Sequence, residues 1–203
     1  MIALIDYGMG NIRSVFKALE TVGAQILITQ NAEDIQKAKA IVLPGVGAFK
    51  DCMTNLSQLE LLYVIKDEII KGKPYFGICL GMQILFTESE EFGICKGMDL
   101  LKGKVLRFNL PKEYKIPHMG WNMVRIKKKN KILESLLDNS YFYFVHSYYV
   151  IPDEPKVVAG VTDYGIEFTS IIQYENIFAT QFHPEKSQKI GLKLLRNFVQ
   201  QIR

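Results

Sequence analysis

Cysteine is scarce in this chain: three in 203 residues, Cys52, Cys79 and Cys95, with no regular spacing. An odd number without a CxxC pair argues against a disulfide framework and for a reducing compartment. No His/Cys cluster stands anywhere in the sequence, so no metal and no cofactor is expected. No apolar run approaches the roughly 20 residues that a membrane-spanning helix needs. The opening Met1-Ile2-Ala3-Leu4-Ile5-Asp6 meets an acid with no basic leader before it, which argues against a secretory signal. A cytoplasmic protein with no membrane partner is the expectation. Strong charge of one sign is also lacking, the formal net charge being +4. The densest basic run, Arg125-Ile126-Lys127-Lys128-Lys129-Asn130-Lys131, has no interleaved aromatic residue for base stacking. It reads as a solvated turn between a strand and a short helix, and no nucleic-acid partner is expected. There is no internal repeat, no low-complexity segment and no linker long enough to divide the chain, so residues 1–203 are expected to form one domain.

The hydrophobic content, 48%, is that of a globular protein with a sizeable core. The first half alternates strand and helix signals. Ile2 to Ile5, Ala24 to Thr29, Ala40 to Leu43 and Pro74 to Ile78 read as buried strands. Arg13 to Thr21 reads as a helix with Val15, Phe16 and Leu19 inward and Gly23 past its end. Leu59 to Ile70 reads as a second helix, with Leu61, Leu62, Ile65 and Ile69 on one side. This rhythm predicts a three-layer α/β sandwich with a mostly parallel central sheet and helices on both faces. From about Met98 short alternating stretches take over: Gly103 to Phe108, Asn122 to Ile126, Tyr141 to Val145, Val157 to Thr162, Glu167 to Tyr174 and Ile177 to Thr180. They predict antiparallel strands that extend the sheet. Ile190 to Ile202 closes the chain as an amphipathic helix.

One cysteine stands out. In Gly77-Ile78-Cys79-Leu80-Gly81 an apolar strand gives way to a helical pattern starting near Met82. Glycine on both sides of a nucleophile at a strand-to-helix junction is the layout of a nucleophile elbow, a turn too tight for side chains at 77 and 81. A helix N-terminus there favours a thiolate over a thiol. The other reading of Cys79 is a small buried apolar residue. Downstream, Gln181-Phe182-His183-Pro184-Glu185 follows another apolar stretch. A histidine takes the proton of a cysteine and later protonates a leaving amine, and a carboxylate fixes the imidazole tautomer. Pro184 holds His183 extended; a satisfied core histidine at a strand end is the alternative. The third signal is Pro44-Gly45-Val46-Gly47-Ala48-Phe49, whose glycines let backbone N–H groups approach a ligand. A plain turn is the alternative for this loop.

These three motifs, in this order, resemble the class I (triad) glutamine amidotransferases. Four further segments are similar to the glutaminase subunits of imidazole glycerol phosphate synthases: Asp6-Tyr7-Gly8-Met9-Gly10-Asn11-Ile12-Arg13-Ser14-Val15, Pro117-His118-Met119-Gly120-Trp121-Asn122, Phe144-Val145-His146-Ser147-Tyr148 and His183-Pro184-Glu185-Lys186-Ser187. The likeness runs from residue 6 to residue 187. It implies Cys79, His183 and Glu185 as catalytic triad, with an oxyanion hole from Val46, Gly47 and Leu80. It implies glutamine held by Gly47, Gln83, Glu91 and the backbone around His146, Ser147 and Tyr148. It further implies a heterodimer with a (β/α)8-barrel synthase subunit that receives the ammonia, with Asn11, His118, Trp121, Tyr143 and Lys186 at or near the interface. The family's glutaminase is nearly silent until that subunit binds. Relatives with the same motifs feed enzymes that build amidino sugars, and nothing in the triad tells the two acceptors apart. A non-catalytic module would be expected to have lost the nucleophile or base, and all three triad positions are filled here.

Overall fold

Strands buried on both faces show as unbroken apolar runs, and Ile2–Ile5, Ala40–Gly45 and Tyr75–Cys79 are buried at every position. The computed structural model describes residues 1–134 and 136–202. In chain order it runs β1 (Ile2–Ile5), α1 (Ile12–Thr21), β2 (Ile26–Thr29), α2 (Ala32–Lys37), β3 (Ala40–Gly45), α3 (Phe49–Gln58), α4 (Leu61–Ile70), β4 (Tyr75–Cys79) and α5 (Leu80–Gln83). Strands then dominate: β5 (Phe86–Ser89), β6 (Cys95–Lys96), β7 (Leu101–Arg107), β8 (His118–Ile126), β9 (Ser140–His146), β10 (Tyr148–Pro152), β11 (Val158–Asp163), β12 (Glu167–Tyr174) and β13 (Ile177–Thr180), before α6 (Gln188–Gln201).

The main sheet has nine strands in the order β2-β1-β3-β4-β13-β12-β11-β8-β9. Its first five strands are mutually parallel and the rest antiparallel. Period-two alternation sorts the core into two halves. Ala3, Ile5, Ile41 and Leu43 face α2, α3 and α4, whereas Ile2, Leu4, Val42, Phe76 and Ile78 face α1 and α6. The expected three layers with an antiparallel extension are present, but not every later strand extends the sheet. β7 and β10 pair with each other and with β5 and β6 in a second, four-stranded sheet.

Several local expectations are corrected. Phe16 is only half-buried, and Ala18 joins Val15 and Leu19 on the inward face of α1. The α2 and α3 helices had no counterpart in the sequence reading. Leu59 closes α3, and Glu60, at φ 57°, starts α4 afresh. The helix after the cysteine is a single turn that starts at Leu80 and is capped at Ile84, so its dipole has little to offer a thiolate. The basic run after β8 leads into turn rather than helix among the described residues. No helix among them is long and apolar enough to cross a membrane.

Candidate active site

Three neighbouring parallel strands end at one place. Gly45 at the end of β3 pairs with Cys79 at the end of β4, and Ile78 pairs with Thr180 at the end of β13. The glycine loop, the cysteine and the histidine segment therefore leave the sheet side by side, at the carboxyl edge where α/β sheets bind their ligands.

Cys79 has φ 54° and ψ −104°, a strained combination for a residue with a side chain. The surroundings impose it. A Cβ at Gly77 would strike the Gly81 carbonyl, and one at Gly81 would strike the Leu43 carbonyl. The buried Tyr75 hydroxyl donates to that Gly81 carbonyl at 2.6 Å and braces the turn from beneath. Cys79 stays 7% exposed, enough to reach a ligand.

Behind it, His183 Nδ1 lies 2.8 Å from Glu185 Oε1, both side chains being almost fully buried. A carboxylate accepts only, so Nδ1 carries the proton there. His183 Nε2 is buried and makes no hydrogen bond. Burial opposes a charged imidazole, but Cys79 and Glu185 outweigh it and raise the His183 pKa to about 10. The main chain holds the segment in place: His183 N donates to Tyr143 O at 2.9 Å, and Ser187 Oγ donates to His183 O at 2.7 Å.

A cavity of about 690 Å³ opens over the sulfur. Val46, Gly47, Cys79, Leu80, Gln83, Glu91, His146, Ser147 and Tyr148 all line it. Gly47, at φ 103°, needs to be glycine, since a Cβ there would also strike Met9. Gln83 is buried, with Nε2 donating to Tyr148 O and to Gln181 Oε1, each at 3.0 Å. Both its N–H bonds are thus used, and Oε1 is the atom it has to offer the cavity. Glu91 Oε2 accepts from Phe49 N at 2.7 Å, which fixes the loop and places a carboxylate on the first turn of α3.

Sequence reasoning passed over Arg107 and Phe92, which also line this cavity. Gln181 stands within the histidine motif, and the sequence by itself assigns it no role. Gln181 is fully buried and its Nε2 lies 3.5 Å from Cys79 Sγ. Its position two residues before His183 was the available signal.

The residues assigned to a partner surface separate. Asn11 is exposed and caps α1, accepting from Ser14 N at 3.3 Å. Trp121 and Tyr143 face each other across β8 and β9, their rings 6.2 Å apart, and Lys186 Nζ lies 5.8 Å from the Tyr143 ring. Lys186 also reaches the cavity, so it stands between the two surfaces. Met119, Met123 and Tyr141 add exposed apolar surface to the same strand pair. His118 lies beneath this surface and not on it: its ring is buried, bonded to His146 and stacked on Tyr164. It supports this surface from within and presents nothing to a partner.

Residues 3–202 match the family described as glutamine amidotransferase class-I. A relative from Aquifex aeolicus (strain VF5), named imidazole glycerol phosphate synthase subunit HisH, is 53% identical, the match covering 96% of this chain and 94% of the relative. One of the same name from Methanocaldococcus jannaschii is 52% identical, over 98% of this chain and 99% of the relative. Among solved structures, PurLQS from Thermotoga maritima superposes with a TM-score of 0.75 at 18% identity, covering 100% of this chain and 98% of the other. A structure described as glutamine amidotransferase gives 0.74 at 17%, covering 100% and 99%. At these identities the two structures speak to the fold alone.

Proposed function

The chain belongs to the class-I glutamine amidotransferase family, and from that premise we propose that it works, as one domain over residues 1–203, as the glutaminase subunit of an imidazole glycerol phosphate synthase in histidine biosynthesis. The observation that carries this reading is convergence. Cys79 and the glycine loop line one cavity, and the buried His183–Glu185 pair lies behind Cys79, close enough for the sulfur to act on the imidazole, in a chain about half identical to subunits of that name.

Cys79 Sγ attacks the side-chain carboxamide carbon of glutamine. The oxyanion forms beside the backbone N–H groups of Val46, Gly47 and Leu80. His183 gives its Nε2 proton to the nitrogen as the C–N bond breaks, which releases ammonia and leaves a thioester. Water then adds to the thioester, passing a proton to His183, and the thiolate leaves to yield glutamate. Glu185 keeps the imidazole in the working tautomer. Glu91 and Gln83 Oε1 are acceptors suited to the α-ammonium of the substrate, and the backbone at His146, Ser147 and Tyr148 closes the opposite wall.

Free ammonia in water takes up a proton and ceases to be a nucleophile, so its transfer needs shelter. The relatives' subunit names imply a second chain, which we take to be a (β/α)8-barrel synthase. Exposed Met119, Trp121, Met123 and Tyr141, with Tyr143 against Trp121 and Lys186 at the cavity, suit an apolar docking face for it. The same subunit names favour this acceptor over amidino-sugar synthesis. A cytoplasmic location suits such a pathway. The test is glutamate release from glutamine by the chain alone, then with the barrel subunit and its nucleotide ligand. Strong stimulation by that subunit is expected. Silence with it, from a folded chain whose Cys79 still alkylates, would overturn the assignment of partner.

A further inference from the structure

We propose that Gln181 is a further catalytic residue of this enzyme: its carboxamide donates a hydrogen bond to the sulfur of Cys79, and fixed partners behind it hold the amide that way round. The proposal rests on the glutaminase reading above for its consequence, but on geometry for the contact. Gln181 Nε2 is 3.5 Å from Cys79 Sγ. The residue is wholly buried, and its backbone N–H donates to Ser170 O at 2.9 Å.

Which end of a carboxamide is nitrogen is ordinarily assigned rather than seen; here chemistry decides it. The carbonyl of Tyr148 only accepts, so the Gln83 atom 3.0 Å from it must be the NH2 group. That same nitrogen is 3.0 Å from the Gln181 side chain, so the Gln181 atom facing it must be oxygen. The nitrogen of Gln181 is then left facing the sulfur. Turning the amide over would set two NH2 groups against each other.

The anchor is itself anchored. Tyr148 O takes a second hydrogen bond, at 2.8 Å, from His146 Nδ1. His146 Nε2 must then be an acceptor, and it receives the proton of His118 Nδ1 at 3.0 Å. His118 Nε2 accepts in turn from Asn122 Nδ2 at 3.2 Å. The other N–H of Asn122 goes to Asp163 O at 2.8 Å, and its Oδ1 accepts from Met123 N at 2.7 Å. Both imidazoles are neutral, in agreement with the burial that lowers His146 to about 3 and His118 to about 4. Every donor in the chain has one acceptor it can use. The chain starts on β8, next to Trp121, and ends at the nucleophile.

An N–H aimed at Sγ favours the thiolate twice: before attack, and when the sulfur leaves the thioester. Hydrogen bonds to charged groups carry about one to two factors of ten. Iodoacetamide provides a test that needs no substrate, since the Cys79 thiolate forms an S–C bond with it as iodide leaves. Alkylation at neutral pH is followed peptide by peptide in the full chain, with half-buried Cys95 as internal reference. In Gln181→Met, close in size and without a donor, Cys79 should alkylate about tenfold more slowly relative to Cys95. In Gln181→Glu, the same shape with a carboxylate, it should be slower still. With the synthase subunit present, the kcat of Gln181→Met should fall about tenfold or more while KM stays within about twofold. A Cys79 alkylation ratio equal to that of the unaltered chain in either folded variant would overturn the proposal. Should neither variant fold, Gln83→Met, which frees the amide to turn, should show the same slowing, and an unchanged ratio there would overturn it as well. If the unaltered chain released no glutamate with any partner, the glutaminase reading would fall, while the alkylation ratio would still decide whether Gln181 acts on the sulfur.

Discussion

The three histidines of this chain are held in opposite states by their neighbours. His118 and His146 are pressed below the ordinary value by burial, to about 4 and about 3. Unfolded, they would take up protons as pH falls through about 6.5; folded, they resist until far lower. The unfolded state therefore binds more protons in that window, and stability is lost as pH falls from about 6.5 towards 3. His183 is the reverse. Cys79 and Glu185 overcome burial and raise it to about 10, so the folded state keeps a proton that the unfolded state has shed. Its contribution is complete below about 6.5 and is lost as pH rises towards 10. The thermal unfolding midpoint should thus peak between these windows, each group adding a slope of up to about 1.4 kcal/mol per pH unit. Cys79→Ser should flatten the alkaline limb and leave the acid limb. A midpoint that is level between pH 4 and 9 would contradict the assignment. The sequence showed which histidine follows a strand and precedes a proline and an acid. It did not show that His118 turns inward, because strand register decides that.

Among the elements, the elbow depends most on two absent side chains. Alanine at Gly81 would drive a Cβ into the Leu43 carbonyl of the neighbouring strand, where no flexible group can yield. Gly81→Ala should cost about 1–3 kcal/mol or more and should remove glutaminase activity even where the protein still folds. Chemical denaturation and the glutamate assay check the two effects separately; full activity would show that the turn has room. The parallel strands were legible because burial on both faces leaves continuous apolar runs. The helix α3 was not, because its N-terminus is satisfied by Glu91, 42 residues away, rather than by a local capping side chain. The second sheet was hidden for a similar reason. β7 alternates like any strand with one covered face, and only tertiary pairing with β5 and β10 tells which sheet takes it.

At the scale of the whole molecule, the two halves of the sheet divide the work. The parallel strands bring three motifs to one edge, and the antiparallel strands carry an exposed apolar face to within reach of it. The link between them is short: Tyr143, whose ring meets Trp121 on that face, also accepts from His183 N through its carbonyl. The proposed function places glutamine chemistry in this chain and ammonia-consuming chemistry in its partner. The most direct test uses the assembled complex of the Cys79→Ser chain with the synthase subunit, and measures imidazole glycerol phosphate formation from glutamine and, separately, from ammonia. Formation from glutamine should vanish, while formation from ammonia continues at a rate near that of the unaltered complex. Loss of both, with the complex intact, would contradict the division of labour.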